Sequence, residues 1–247
     1  MNLSRTVNHA TSSASLNRPG VTTIIRAGLT AGERLTLQIT EKHGVDNRQR
    51  GTDLHCLCQR YVLRQELGLV PRALAEHWAS LPVLLDSFSR MLWAEQGLAA
   101  PLAGLTELRP PGLPFLGRPD LLGLRAGKLE LVEVKVADSP YSRIHPRKGE
   151  ERFWHAKNRH LKLQLAFEQL EGYRRLLEPL GVRVDDLVVF VALPGRVQQF
   201  RARPEERAAA MRRFDRRLAR YNAELSRRAK ERQRGLALAA KDFAGLV

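Results

Sequence analysis

The stretch GRPDLLGLRAGKLELVEVKV, residues 117–136, decides how the rest of the chain is read. Leu129, Leu131 and the run Val132 to Val136 read as a buried strand interrupted by two charges. Alternate residues of a strand share a face, so Glu133 and Lys135 stand side by side. Burying both is unfavourable unless something pairs with each of them. A divalent cation held by two carboxylates from neighbouring strands, Asp120 and Glu133, removes that penalty. The Lys135 ammonium is then placed to orient an attacking water or steady charge on a phosphoryl group. The residues alone also allow a plainer reading, a solvated ion pair on an edge strand with Asp120 as a turn residue after Pro119.

Charge is the strongest global signal. The 247 residues carry 41 Lys and Arg against 26 Asp and Glu, a formal net charge of +15, and the pI is near 10.8. Such an excess favours polyanionic partners through counterion release and steering, without any sequence preference. With 43% hydrophobic and 6% aromatic residues the chain can bury a sizeable core as a single domain. Its two cysteines, Cys56 and Cys58, are too few for a four-cysteine zinc or iron–sulfur site. On a helix they point well apart, so they read as packing thiols in a reducing compartment.

No run of about 18 apolar residues occurs, and the N-terminus lacks a secretory signal's apolar stretch. A cytoplasmic protein with no membrane partner is expected. Residues 1–32 contain no Asp or Glu and several Ser, Thr and Arg, a composition that a flexible basic arm shares with an organellar transit peptide.

Working outward, residues 1–20 end in Pro19-Gly20 and read as a flexible basic arm, with one domain over 21–247. In residues 51–67, Leu54, Leu57, Cys58, Tyr61 and Val62 form one helical stripe. His55 lies beside that stripe, and Thr52 or Asp53 is available as a cap. Helical spacing continues through Leu74, Trp78, Leu84, Leu85, Phe88, Met91 and Leu92. Short strands are expected at 106–109, 115–124 and 129–136. Residues 137–160 read as a basic surface excursion. There Arg143, Arg147, Lys148, Arg152, Lys157 and Arg159 alternate with Tyr141, Phe153 and Trp154, as in a grip on single-stranded nucleic acid or an ordinary solvated loop.

A helix over 161–177, a buried strand over 187–193 with a hairpin partner at 197–200, and a long basic helix from Pro204 to about Arg234 complete the pattern. Met211, Phe214, Leu218, Tyr221 and Leu225 form an apolar seam on that last helix.

Four signatures, taken in order, resemble the RecB-like exonuclease branch of the PD-(D/E)XK nuclease superfamily: Gly51-x-x-x-His55, Asp120 in GRPD, Glu133-Val134-Lys135, and Gln169-x-x-x-Tyr173 in QLEGYRRLL. The resemblance spans roughly residues 45–225. It implies an α/β, restriction-endonuclease-like fold with a mixed central sheet flanked by helices. It also implies a Mg2+ or Mn2+ held by His55, Asp120, Glu133 and the Val134 carbonyl, and a Lys135 that positions or helps deprotonate water. Gln169 and Tyr173 would contact the substrate strand or brace the lysine. Glu107 is either a further acidic contributor or an exposed strand-end carboxylate. The partners implied are DNA, as single strands or duplex ends, and a helicase or recombination protein.

The chain departs from relatives that carry four iron–sulfur cysteines, and it has no nucleotide-binding G-x-x-x-x-G-K-[ST] pattern for a motor of its own. The function expected is a metal-dependent deoxyribonuclease of repair, recombination or phage DNA processing. The alternatives are a non-catalytic nucleic-acid-binding subunit of the same fold and a structure-selective endonuclease.

Overall fold

The structure is a computed structural model that describes residues 18–40, 44–149 and 152–244. Of the expected arm, residues 1–17 lie outside the described residues. The last three of its residues are tied down: Arg18 donates to Pro110 O, Leu116 N–H donates to Pro19 O, and Gly20 forms a parallel bridge with Leu116.

Among the described residues five α-helices precede the sheet: α1 (Val21–Ala27), α2 (Ala31–Thr40), α3 (Gly44–Val62), α4 (Ala75–Trp78) and α5 (Leu81–Asp86). Strands β1 (Arg90–Ala94), β2 (Leu121–Arg125) and β3 (Lys128–Val136) follow, then α6 (Phe153–Leu177), β4 (Asp186–Leu193), β5 (Arg196–Arg201) and α7 (Pro204–Ala244). The protein is thus α/β, with one five-stranded mixed sheet of order β1-β2-β3-β4-β5. Only β3 and β4 are parallel, and α6 is the crossover between them.

Apolar side chains on both faces of the sheet decide the layering. On one face Leu122, Leu131, Val189 and Val191 pack under α1, α6 and α7 together with Leu170, Leu176 and Phe214. On the other, Leu121, Val132, Val134, Val188 and Phe190 pack under α3, α4 and α5 with Leu54, Leu57, Trp78 and Leu81. The unbroken apolar run of β4 is what a strand covered on both faces needs. Among the described residues no helix is long and apolar enough to cross a membrane.

Several expectations change. Met91 and Leu92 belong to strand β1 and not to a helix. A bulge between Met91 and Trp93 turns Leu92 and Trp93 toward the same core, which removes the alternation that marks a strand. The segment expected as a strand over 106–109 makes only a bridge, Leu108 to Gly117, and regular pairing of β2 starts at Leu121.

Thr52 and Asp53 cap nothing, because α3 begins at Gly44; Thr52 Oγ1 donates back to Arg48 O. The excursion ends early, since α6 begins at Phe153. Its first two turns pack polar groups such as Asn158 and His160, so no apolar period announces them. On α7 the inward face is Ala210, Phe214 and Arg217, with Leu218 and Tyr221 partly packed, while Met211 and Leu225 are exposed.

Candidate metal centre

Extending the β2/β3 register one step past the Leu121–Val132 pair sets Asp120 opposite Glu133, on the face that α6 covers. Asp120 is buried, and its Oδ2 accepts the Val134 N–H at 2.7 Å. Its Oδ1 lies 3.2 Å from Nδ1 of His55. Helix α3 packs its Leu54, Leu57 and Cys58 stripe against the opposite face, which leaves His55 at the end of the sheet, with its Nε2 3.0 Å from the Val134 carbonyl. That contact fixes Nε2 as the donor and leaves Nδ1 facing the carboxylates.

A third group, Glu95, completes the cluster. Its Oε1 is 3.5 Å from His55 Nδ1, and its N–H donates to Asp120 O at 3.1 Å. Ligand atoms of His55, Glu95 and Asp120 all lie within 4.8 Å of one another. Glu95 follows the β1 bulge and has a left-handed backbone, φ 57°. This unusual conformation turns its side chain toward Asp120 instead of continuing the strand.

Glu133 stands beside this set. It is fully buried; Oε1 accepts the Lys135 ammonium, and Oε2 has no hydrogen-bond partner among the described residues. Lys135 Nζ also lies 3.4 Å from Gln169 Oε1, and Gln169 Nε2 donates to the Tyr173 hydroxyl at 2.9 Å. Tyr173 is only 4% exposed. An added Cβ at Gly117 would come within 2.6 Å of its ring, so the glycine of GRPD is what lets α6 approach this loop. Their placement puts Gln169 against the lysine and Tyr173 behind Gln169.

The electrostatics follow from three carboxylates sharing one small volume. Burial opposes charging His55, but Asp120 and Glu95 outweigh it and hold the imidazole pKa well above its usual value. Burial also opposes ionising Asp120, yet His55 and Lys135 keep it below the usual carboxylate range. Burial and then repulsion from Asp120 push Glu133 up to about 7. Burial would lower Lys135, but Glu133 and Asp120 raise it to about 12, so it is an ammonium at any ordinary pH.

The donor set fits a hard divalent cation: carboxylates, one imidazole, and a buried carboxylate oxygen with no other partner. Glu95 was missed by the sequence reading, which weighed Glu107 instead. Glu107 is engaged with Arg109 at 2.9 Å and is not part of the cluster. No sequence signal marks Glu95, because a bulge and a left-handed turn aim it. The Val134 carbonyl, expected as a ligand, here holds the His55 ring. Gly51 is in open space, so no close contact requires a glycine there. Cys58 is buried in the α3 packing and Cys56 is exposed, and both are free thiols.

Neither a scan against protein-family models nor a search of curated proteins finds a match to this chain.

Proposed function

We propose that the chain is a metal-dependent deoxyribonuclease with a restriction-endonuclease-like fold, of the RecB-like PD-(D/E)XK kind, acting through Mg2+ or Mn2+. The observation that carries this reading is the meeting of His55, Glu95 and Asp120 from three separate segments, beside Glu133 and a Lys135 braced by α6. His55, Glu95, Asp120 and Glu133 would hold the cation, which would supply Lewis-acid neutralisation at a scissile phosphate.

The remaining work falls to the chain's own side chains. In the metal-free site Glu133 and Asp120 raise Lys135 to about 12, and as an ammonium it would orient water or a phosphate oxygen. Gln169, held in turn by Tyr173, limits where the ammonium can swing. Glu133 gives one oxygen to Lys135, and its other oxygen, without a partner among the described residues, would be available to the cation. Val134 ties the site together, orienting His55 through its carbonyl and Asp120 through its N–H. The net charge of +15 supports a polyanionic substrate.

The test is incubation of purified protein with end-labelled single-stranded, duplex and circular DNA, in Mg2+, Mn2+ or EDTA. Cleavage that needs a metal and disappears in Asp120→Asn is expected. Cutting of circles would make the enzyme an endonuclease. Equal inertness of wild type and Asp120→Asn on every substrate would replace the nuclease reading with a non-catalytic binding subunit.

A further inference from the structure

Helix α6 is longer than the sheet it covers. Gln169 meets Lys135 one residue short of the end of β3, and α6 runs antiparallel to that strand toward β4. The helix N-terminal to Gln169 therefore continues past the carboxyl edge of the sheet. At 1.5 Å per residue, Trp154 stands about 22 Å along the axis from Gln169.

At that outer end lies an aromatic and cationic cluster. Phe153 and Trp154 meet edge to face, with ring centroids 5.3 Å apart. Lys157 Nζ is 4.9 Å from the Trp154 ring centre and 5.6 Å from that of Phe153. Trp154 is 39% exposed, while Trp78 and Trp93 are 8% and 0% exposed, so the other two tryptophans are core residues and this one is not. Residues 141–162 carry seven Lys and Arg against two Glu, and Arg147 and Lys148, which precede the helix in sequence, are exposed.

We infer that Trp154, with Phe153 and Lys157, is a stacking platform for an unpaired nucleobase of a single-stranded nucleic acid that runs along α6 to the metal centre. The inference rests on the nuclease reading and names its substrate class. Bases in a duplex have both faces occupied by their neighbours, whereas a single strand offers a free face to an indole. Lys157 over the same ring supplies a cation beside the base for the adjoining phosphate. The distance from the platform to Lys135 spans several nucleotides, so the platform acts on how a strand is held and not on the chemistry itself.

The experiment uses Trp154 as its own reporter, because the two core tryptophans are shielded. The full chain, in EDTA and low salt, is titrated with a 12-residue oligo-dT and with a blunt 12-base-pair duplex while tryptophan emission is followed. Saturable quenching by the single strand is expected in wild type. Affinity should drop about tenfold in Trp154→Ala, measured by anisotropy of a labelled oligonucleotide, and should largely survive in Trp154→Phe. Because Trp154 is not a core residue, unchanged circular dichroism should accompany the loss.

Single-strand binding that is the same in Trp154→Ala as in wild type would overturn the platform. So would quenching by the duplex as strong as by oligo-dT. Because binding is read without metal, failure of the platform and failure of the nuclease reading are separate results. Quenching without cleavage on any substrate refutes only the latter, and cleavage without quenching refutes only the former.

Discussion

Glu168 and Gln169 are neighbours on α6, and each faces a different cluster of buried charge. Glu168 accepts Arg213 at 2.6 Å through Oε1 and Arg217 through Oε2. Arg217 in turn donates to Glu33 at 2.8 Å and to Gly28 O at 2.9 Å, and Gly28 has no room for a side chain against it. Each carboxylate here meets a guanidinium, and every Glu168 oxygen is used.

The cluster on the Gln169 side has Glu95, Asp120 and Glu133 against Lys135, with His55 the only group able to add positive charge. One of its buried oxygens, on Glu133, has no partner among the described residues. A closed network holds α7 and α2 onto α6, whereas an acid-rich and incomplete one leaves a place for a cation. Incomplete buried networks are unfavourable by themselves, so their persistence points to function.

The widest separation between the two clusters should come from single substitutions. Asp120→Asn is expected to lower metal-dependent cleavage about 10³-fold, roughly 4 kcal/mol of transition-state stabilisation, while the urea midpoint stays near wild type. Glu168→Ala should do the reverse. Removing the only buried carboxylate between two guanidiniums is expected to destabilise the fold by ~3–5 kcal/mol in urea unfolding, with cleavage per folded molecule retained at low denaturant. If both variants lose stability and activity together, the contrast between the clusters collapses.

Metal binding provides the next test. Mn2+ at about 100 times its dissociation constant should stabilise wild type by about 2.7 kcal/mol, and Glu95→Gln much less, as read from thermal melts. Glu95→Gln that responds like wild type would remove Glu95 from the ligand set.

The pH dependence of this effect has a defined sign. Glu133 and His55 have raised values in the folded state, so the metal-free protein binds extra protons relative to the unfolded chain. Their contribution is full below the ordinary values, 4.5 and 6.5, and is lost as pH rises through about 7 for Glu133 and through the raised value for His55. Metal-free stability should therefore fall between pH 5 and 8. The Mn2+-induced shift should grow over the same window, as the cation competes with fewer protons. The Arg217–Glu33 pair of the other cluster should be indifferent to that range. There, Arg217 is raised and Glu33 lowered from their usual values, so their contributions change only in strong base and strong acid.

The smallest expected effect is that of Tyr173→Phe, which removes the hydroxyl that accepts from Gln169 and leaves the buried ring in place. A fall of about threefold to tenfold in kcat with KM nearly unchanged is expected, roughly the worth of one hydrogen bond acting through Gln169. A raised KM with kcat intact would make Tyr173 part of substrate binding.

Glu133 and Lys135 were readable because local rules govern them. Two-residue periodicity puts Glu133 and Lys135 on one face, and charged residues within an apolar strand stand out against their neighbours. The β4 run and the stripe of α3 were readable for the same reason. The ends of these elements were less so: α3 and α6 start several residues before their apolar periods, where polar groups find their partners in the tertiary structure.

Taken alone, the sequence determined the strand pair and helices that present His55, Asp120, Glu133, Lys135, Gln169 and Tyr173, together with the charge that favours a polyanion. Only the tertiary structure decided that Glu95 joins them, that Val134 holds both His55 and Asp120, and that Tyr173 lies buried against Gly117. The physical reason is range. Burial patterns follow from the spacing of adjacent residues. The direction of Glu95 depends on a bulge, a left-handed residue and a pairing with a strand 25 positions away, and no local preference encodes those.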